Sequence, residues 1–394
     1  MRYRGAAPVG ILAAVLLCLA FQGSTDALAT AAVKGDVNCT AGPNSVDALL
    51  LLRHTAGLPV ELPQGCPEVG AAGAIMNGKI AYDVFENNNG DIYAMDANGA
   101  NPTRLTDDPV FEWDPAWSPD GQHIAFDRQV TADDDIFVMK ANGSGLTNLT
   151  NTPAFEESAP AWSSDGSQIA FQSDQDGGDF DIWMMDANGG NPHNLTADFN
   201  GDDLTPAWSP DGSKIAFSSE RDGVYVQLYV MNSDGSGVVR IVGEDGYTAS
   251  PSWSPDGGRI AFNMEAADNF DTYSVKPDGS DLKRLTDDPA WDGSPDWSPD
   301  GTLIVFETRR HEPDPEHCDN CNEEIYAMNA DGSNETRLTN HAGADADPSW
   351  QPLRELNGDI NCDGVINSVD ALFILRFVAQ LPVDLPAGCP AIGA

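Results

Sequence analysis

Twelve residues near the carboxyl end have the types and spacing to hold a hard metal ion. The run Asp359-Ile360-Asn361-Cys362-Asp363-Gly364-Val365-Ile366-Asn367-Ser368-Val369-Asp370 sets side-chain oxygens at loop positions 1, 3, 5, 9 and 12, with glycine at position 6 for the sharp turn. Asp359, Asn361, Asp363 and Asp370 would reach a cation directly, Val365 through its carbonyl, and Asn367 directly or through one water. Three carboxylates in an all-oxygen cage favour Ca2+. A second copy stands near the amino end: Asp36, Asn38, Thr40, Gly42, Asn44 and Asp47 occupy the ligand positions. Thr40 replaces a carboxylate and Ala41 takes the turn position, so this copy should bind more weakly unless Gly42 absorbs the turn. Each loop runs into an apolar-periodic segment, 371–376 and 48–53, that reads as a helix.

A second set of acids recurs through the middle of the chain. Glu112, Glu157, Asp203, Asp292 and Asp345 each stand three residues before the proline of a Pro-x-Trp motif, with Thr248 at the sixth such position. Two readings are open. The acids accept backbone hydrogen bonds at strand starts and face solvent, or they form a ring at a channel mouth that holds a cation or a basic ligand. Another column, Asp91, Asp135, Asp181, Asp271 and Glu324, reads as turn and edge chemistry. Catalytic signatures are missing: there is no Gly-x-Ser-x-Gly or His-Glu-x-x-His, and the six histidines are scattered.

These residues must be positioned by a repeat. Trp-Ser-Pro-Asp-Gly occurs at Trp117, Trp208, Trp253 and Trp297, with variants at Trp162 and Trp350, and the tryptophans are 45, 46, 45, 44 and 53 residues apart. Each unit continues with an Ile-Ala-Phe-like triplet, an Ile-Tyr-x-Met-like strand, an Asn-Gly or Asp-Gly turn and an Arg-Leu-Thr-like ending. Four short antiparallel strands at this period predict propeller blades. The first unit begins with its second strand, 79–82, whereas 347–350 is an orphan strand at the other end. One blade is therefore closed by both chain ends, giving six blades.

The charge balance narrows the partners. Against 20 basic side chains stand 62 acidic ones, a formal net charge of −42 over 394 residues, which disfavours nucleic acid and anionic membranes. Disorder does not explain the acidity, because 41% of residues are hydrophobic and nine are tryptophan. Arg2 and Arg4 precede the apolar run 9–21 and an Ala-x-Ala site, so 1–31 reads as a signal peptide removed on export, leaving no membrane span. In an oxidising compartment Cys39 with Cys66 and Cys362 with Cys389, each pair 27 residues apart, read as disulfides, and Cys318 with Cys321 as a short loop staple.

The Pro-Ala-Trp-Ser-Pro-Asp-Gly, Ile-Ala-Phe, Asp-Ile-Tyr-x-Met and Arg-Leu-Thr motifs resemble the WD40-like (PD40) repeats of TolB-type six-bladed propellers over 78–352. That family's amino-terminal α/β domain has no counterpart here. Asn-Ser-Val-Asp leading into Ala-Leu-x-x-Leu-Arg resembles the type I dockerin calcium repeat, an EF-hand-like unit. The resemblance implies a cohesin-like protein partner, with Ser45, Val46, Ser368 and Val369 at the recognition positions.

The expected chain is mainly β. It runs as a signal peptide (1–31), a dockerin-like half-module (32–68), a linker (69–77), the propeller (78–352) and a second α-helical half-module (353–394). The expected function is that of an exported, secreted or periplasmic, non-catalytic binding protein whose two ends pair into one calcium-dependent docking unit. The alternative is a propeller hydrolase or lyase of polysaccharide catabolism delivered by the same ends. Convergence of acids with a histidine or arginine in one pocket would favour the enzyme.

Overall fold

The computed structural model describes residues 72–356, apart from 131–132, 153, 224, 243–245, 267–268, 311–321 and 342. Six four-stranded sheets make up this part, and Ile75–Leu353 forms one compact unit. The first blade consists of Glu112–Trp117, His123–Gln129, Asp134–Lys140 and Thr147–Asn148, named here from innermost to outermost strand. The second to fifth blades begin at Glu157–Trp162, Asp203–Trp208, Thr248–Trp253 and Asp292–Trp297, and these innermost strands touch in succession around the axis. The closing blade sets Ala344–Leu356 beside Ala72–Glu86, followed by Asn89–Asp96 and Thr103–Arg104. The six-bladed, mainly β architecture and the blade shared by both ends are therefore as expected. Two boundaries shift: 72–77, read as linker, and 353–356, read as the start of the second half-module, are strand.

The Ile-Ala-Phe triplet explains how one blade packs on the next. Side chains alternate across a strand, so Ile124 and Phe126 point one way and Ala125 the other. Ile124 and Phe126 join Ala81 and Ile92 of the closing blade, whereas Ala125 packs with Ile169 and Phe171 of the second. Each blade thus offers two large side chains backward and a small one forward. The five phenylalanines at this position, Phe126, Phe171, Phe217, Phe262 and Phe306, have no exposed surface.

The Trp-Ser-Pro-Asp-Gly turn is held by its own polar atoms. Ser118 Oγ donates to Asp120 Oδ1 at 2.5 Å and accepts from the His123 N–H at 2.9 Å, while the Gly121 N–H reaches the Ser118 carbonyl at 2.8 Å. The Asn-Gly turns do another job. Gly99, at φ 81°, would place a Cβ 2.5 Å from the Leu338 carbonyl of the fifth blade, so only glycine lets the closing blade approach its neighbour.

Among the described residues there is no helix, and no helix long and apolar enough to cross a membrane. The calcium loops, Ser45, Val46, Ser368, Val369, the six cysteines of the expected disulfides and 1–31 lie outside the described residues.

Candidate binding site in the propeller channel

The Pro-x-Trp acids open the innermost strands, and the structure buries them. Glu112, Glu157, Asp203 and Asp292 have no exposed surface and Asp345 has 1%. Within their own blades Glu112 meets Arg128 at 2.6 Å, Asp203 meets Arg221 at 2.5 Å and Asp292 meets Arg310 at 2.7 Å, while Glu157 accepts from Thr152 and Gln175. Neither expected placement describes them, because they face neither solvent nor an open channel mouth.

The second column completes the same device and explains the Arg-Leu-Thr motif. Arg104 reaches Asp91 at 2.8 Å, Arg284 reaches Asp271 at 2.7 Å, and Arg337 pairs with Glu324; where the motif begins with asparagine, Asn148 and Asn194 donate to Asp135 and Asp181. The threonine accepts the N–H after each acid, as Thr339 does from Ile325 at 2.9 Å, and donates to the acid, as Thr339 does to Glu324 at 2.8 Å. That hydroxyl has one proton. Asp345, next to it on the following innermost strand, is left with both carboxyl oxygens buried and undonated, and burial raises its pKa to about 7. Glu157 and Glu112 are also raised to about 7 by burial, which outweighs the Arg128 charge at Glu112.

Two further columns line the channel, and sequence reasoning missed both. One is the residue before each Pro-x-Trp proline: Asp114, Ala159, Thr205, Ser250, Ser294 and Asp347, all with φ between 44° and 52°. Positive φ in six non-glycine residues is a repeated strain, and in the first to fifth blades it coincides with a register shift of the innermost strand. The other directly follows the Ile-Ala-Phe triplet: Asp83, Asp127, Gln172, Ser218, Asn263 and Glu307. The signal was present, since both positions stand at fixed offsets from the Pro-x-Trp and Ile-Ala-Phe motifs.

Five of these twelve residues are acids, and they fall on three consecutive blades: Glu307 on the fifth, Asp83 and Asp347 on the closing, Asp114 and Asp127 on the first. Asp347 hydrogen-bonds to both Asp83 and Asp114. The Ser294 hydroxyl lies 2.8 Å from Glu307 and 2.8 Å from Asp347, and Glu307 also accepts the Asp347 N–H at 2.9 Å. Asp83 and Asp127, each 3% exposed, keep one carboxyl oxygen with no donor. Burial first, then mutual repulsion, pushes Asp83, Asp114 and Glu307 well above the carboxylate range; Asp127 is raised by burial and then by Asp134, and Asp347 by burial. Among the described residues no arginine or lysine offsets the charge of any of the five. Two charged carboxylates at hydrogen-bonding separation repel by about 5 kcal/mol at an effective dielectric of about 20. The site therefore holds protons or awaits a positive group.

The opposite side of the channel is neutral, and on the second and third blades its side chains satisfy one another, although Asn263 Oδ1 on the fourth is buried without a donor. Gln172 donates to Ser158 at 2.9 Å and accepts the Thr205 N–H at 2.9 Å, and Thr205 donates to Ser218 at 3.2 Å. Among the described residues no three His, Cys, Asp or Glu side chains are grouped to hold a metal ion.

A sequence profile of the TolB beta propeller domain matches residues 76–198 and 154–312. The chain belongs to the TolB beta-propeller family. Of solved structures, TolB from Acinetobacter baumannii superposes with a TM-score of 0.60 at 23% identity, covering 70% of this chain and 66% of its own length. A putative TolB from Agrobacterium tumefaciens gives 0.57 at 22% identity, with 72% of this chain and 99% of that one covered. Hydrazine synthase of Kuenenia stuttgartiensis gives 0.58 at 17% identity, covering 73% of this chain and 48% of its own. At these identities the likeness is one of fold. No curated protein sequence matches.

Proposed function

We propose that this TolB-family propeller is a non-catalytic recognition platform whose channel takes a positively charged group from a partner. The single observation that carries the reading is the set of five channel carboxyls on three adjacent blades, two of them with buried undonated oxygens and none paired with an arginine or lysine among the described residues. Acids converge there without a histidine or arginine, so the condition set for an enzyme is half met. The raised carboxyls keep one alternative in view, a hydrolase or lyase acting on polysaccharide by paired acids. Release of reducing sugar from a polysaccharide panel would favour that alternative.

In the same reading the protein is exported, and its dockerin-like ends hold Ca2+ and dock it to a cohesin-like or surface partner. Support for pairing of the two ends comes from the closing blade, where Ala72–Glu86 and Ala344–Leu356 are neighbouring strands. Two titrations test the proposal. With Ca2+ saturating, calorimetry with a short oligolysine should show binding that weakens with salt and is lost in Asp83→Asn/Asp127→Asn; unchanged binding in that variant would remove the channel site. Calcium titration should show a tight site lost on Asp359→Ala or Asp370→Ala, with a smaller effect of Asp36→Ala. Capture of a partner from culture supernatant that survives chelation would overturn the docking role.

A further inference from the structure

On the closing and first blades the channel acids have an aromatic approach. Phe85 stacks on Phe111 with ring centres 5.8 Å apart and planes within 10°, and Phe111 stacks on Trp113 at 5.2 Å and 4°. All three rings are half-buried rather than sealed. Strand alternation links them to the acids. Phe85 lies two residues beyond Asp83 on one face of its strand, and Trp113 sits directly opposite Asp127 in the antiparallel pair. Phe85 and Phe111 are at the end of the blade where the second strand finishes and the innermost begins, so they stand at the rim, with Asp83 about 6–7 Å deeper at two residues' rise.

A group entering from this rim meets a flat π surface and then carboxyls with free lone pairs. That sequence of contacts suits a planar cation on an apolar stem better than a compact ion. The molecule holds such arrangements of its own, one of them at the equivalent rim. On the fifth blade the Arg309 guanidinium lies 4.7 Å from the Trp291 ring centre, with its Nε 2.9 Å from Glu323. The Phe85–Phe111–Trp113 stack and the nearby acids have the same aromatic and acidic parts, yet among the described residues no arginine or lysine is placed over these rings. Matching rims on the second and third blades carry Asp174 with Glu156 and Glu220 with Asp202 in place of rings.

Resting on the reading of the channel as a site for positive charge, we propose that its occupant is an arginine side chain presented by a partner polypeptide, its guanidinium and stem against the Phe85–Phe111–Trp113 stack and its charge on Asp83, Asp114 and Asp127. Arginine is preferred over lysine because a guanidinium can stack and fork its donors at once, which an ammonium cannot.

The test uses the full chain with Ca2+ saturating and capped Gly-Arg-Gly, Gly-Lys-Gly and Gly-citrulline-Gly peptides, followed by calorimetry and tryptophan fluorescence. The wild-type protein should bind the arginine peptide at least tenfold more tightly than the lysine peptide, and the uncharged citrulline peptide should not bind measurably. Trp113→Leu should remove the arginine preference while leaving charge-driven binding of both cationic peptides. Equal affinity for arginine and lysine in the wild-type protein, a measurement that needs no variant, would overturn the inference and leave the charge site standing. Arginine preference that survives Trp113→Leu would also overturn it. Binding that survives Asp83→Asn/Asp127→Asn, or no binding of either cationic peptide, would sink both the inference and the reading beneath it. Free arginine binding as tightly as the peptide would assign the site to a small molecule rather than to a polypeptide.

Discussion

Two populations of buried acid sit a few residues apart in this propeller and obey opposite electrostatic rules. At the blade interfaces most carboxyls have dedicated donors: Arg128 for Glu112, Arg221 for Asp203, Arg310 for Asp292, and an arginine or asparagine with a threonine for the third-strand acids. In the channel, Asp83, Asp114, Asp127, Glu307 and Asp347 have serine hydroxyls, backbone N–H groups and one another. Regularity separates the two. Interface acids occur in five of six blades and belong to the machinery that repeats, whereas channel acids crowd onto three neighbouring blades and leave the other three neutral. In a fold built by repetition, maintenance follows the symmetry and a binding site departs from it.

The largest effect should come from stripping an interface acid of its cation. Arg310 is 11% exposed, pairs with the wholly buried Asp292 and also meets Glu335. Arg310→Ala leaves a buried charge without its partner and should cost about 3–5 kcal/mol in urea unfolding. Removing the charge as well, in Asp292→Asn/Arg310→Met, should recover a large part of it. If the single variant costs under about 1 kcal/mol, interface and channel acids do not differ in the way argued.

The channel acids should respond with the opposite sign. Asp83→Asn/Asp127→Asn removes two groups whose ionisation burial and mutual repulsion oppose, so stability at pH 8 should rise by about 1–3 kcal/mol while cation binding is lost. Stability that falls in step with binding would show these carboxyls to be structural after all.

Asp345 stands between the populations, being at an interface but without a donor. Its folded pKa, about 7, lies above the ordinary aspartate value of 3.8. The folded state therefore binds its proton more tightly than the unfolded chain does. That stabilisation is complete below about pH 4 and disappears as pH rises through about 7, a loss of at most about 4 kcal/mol at about 1.4 kcal/mol per unit. Asp345→Asn should raise the Tm at pH 8 and leave it nearly unchanged at pH 4. Equal shifts at both values would place the effect in packing and not in titration.

How much of this was legible beforehand follows from the same distinction. Trp-Ser-Pro-Asp-Gly, Ile-Ala-Phe and Arg-Leu-Thr announced the blades because each is a local instruction: a turn closed by its own serine, a large-small-large strand, a capped outermost strand. Closure was legible from the unit that lacks an innermost strand and the orphan strand ending at Trp350. The acids before Pro-x-Trp were visible as a column, but their burial was not, since Arg128 is on the following strand, Arg221 and Arg310 lie just beyond it, and all three become partners only once the hairpin forms. The channel cluster was harder still. Asp83 and Glu307 are more than 200 residues apart, and only the circular order of blades makes them neighbours. The Phe85–Phe111–Trp113 stack depends in the same way on two blades meeting.

One interface supplies an internal control and the smallest expected effect. Between the third and fourth blades the acid, threonine and acid found elsewhere are replaced together by Gln227, Val242 and Thr248, which are 6%, 5% and 1% exposed. Gln227 Nε2 donates to the Gly246 carbonyl at 2.8 Å, and Arg240, lacking an acid opposite it, turns to Asp222 at 3.6 Å. The three positions change together at this one interface, as members of a single unit would. Restoring the common set with Gln227→Asp/Val242→Thr/Thr248→Asp should therefore move stability by less than about 1 kcal/mol, with Arg240 recruited to the new aspartate. Thr248→Asp alone buries a charge beside a valine and should cost about 2 kcal/mol or more. The gap between triple and single variants, read by urea unfolding at pH 7.5, measures the coupling directly. If the three changes prove additive, the interface acids act one by one, and their regularity reflects descent of the repeat rather than a shared electrostatic device.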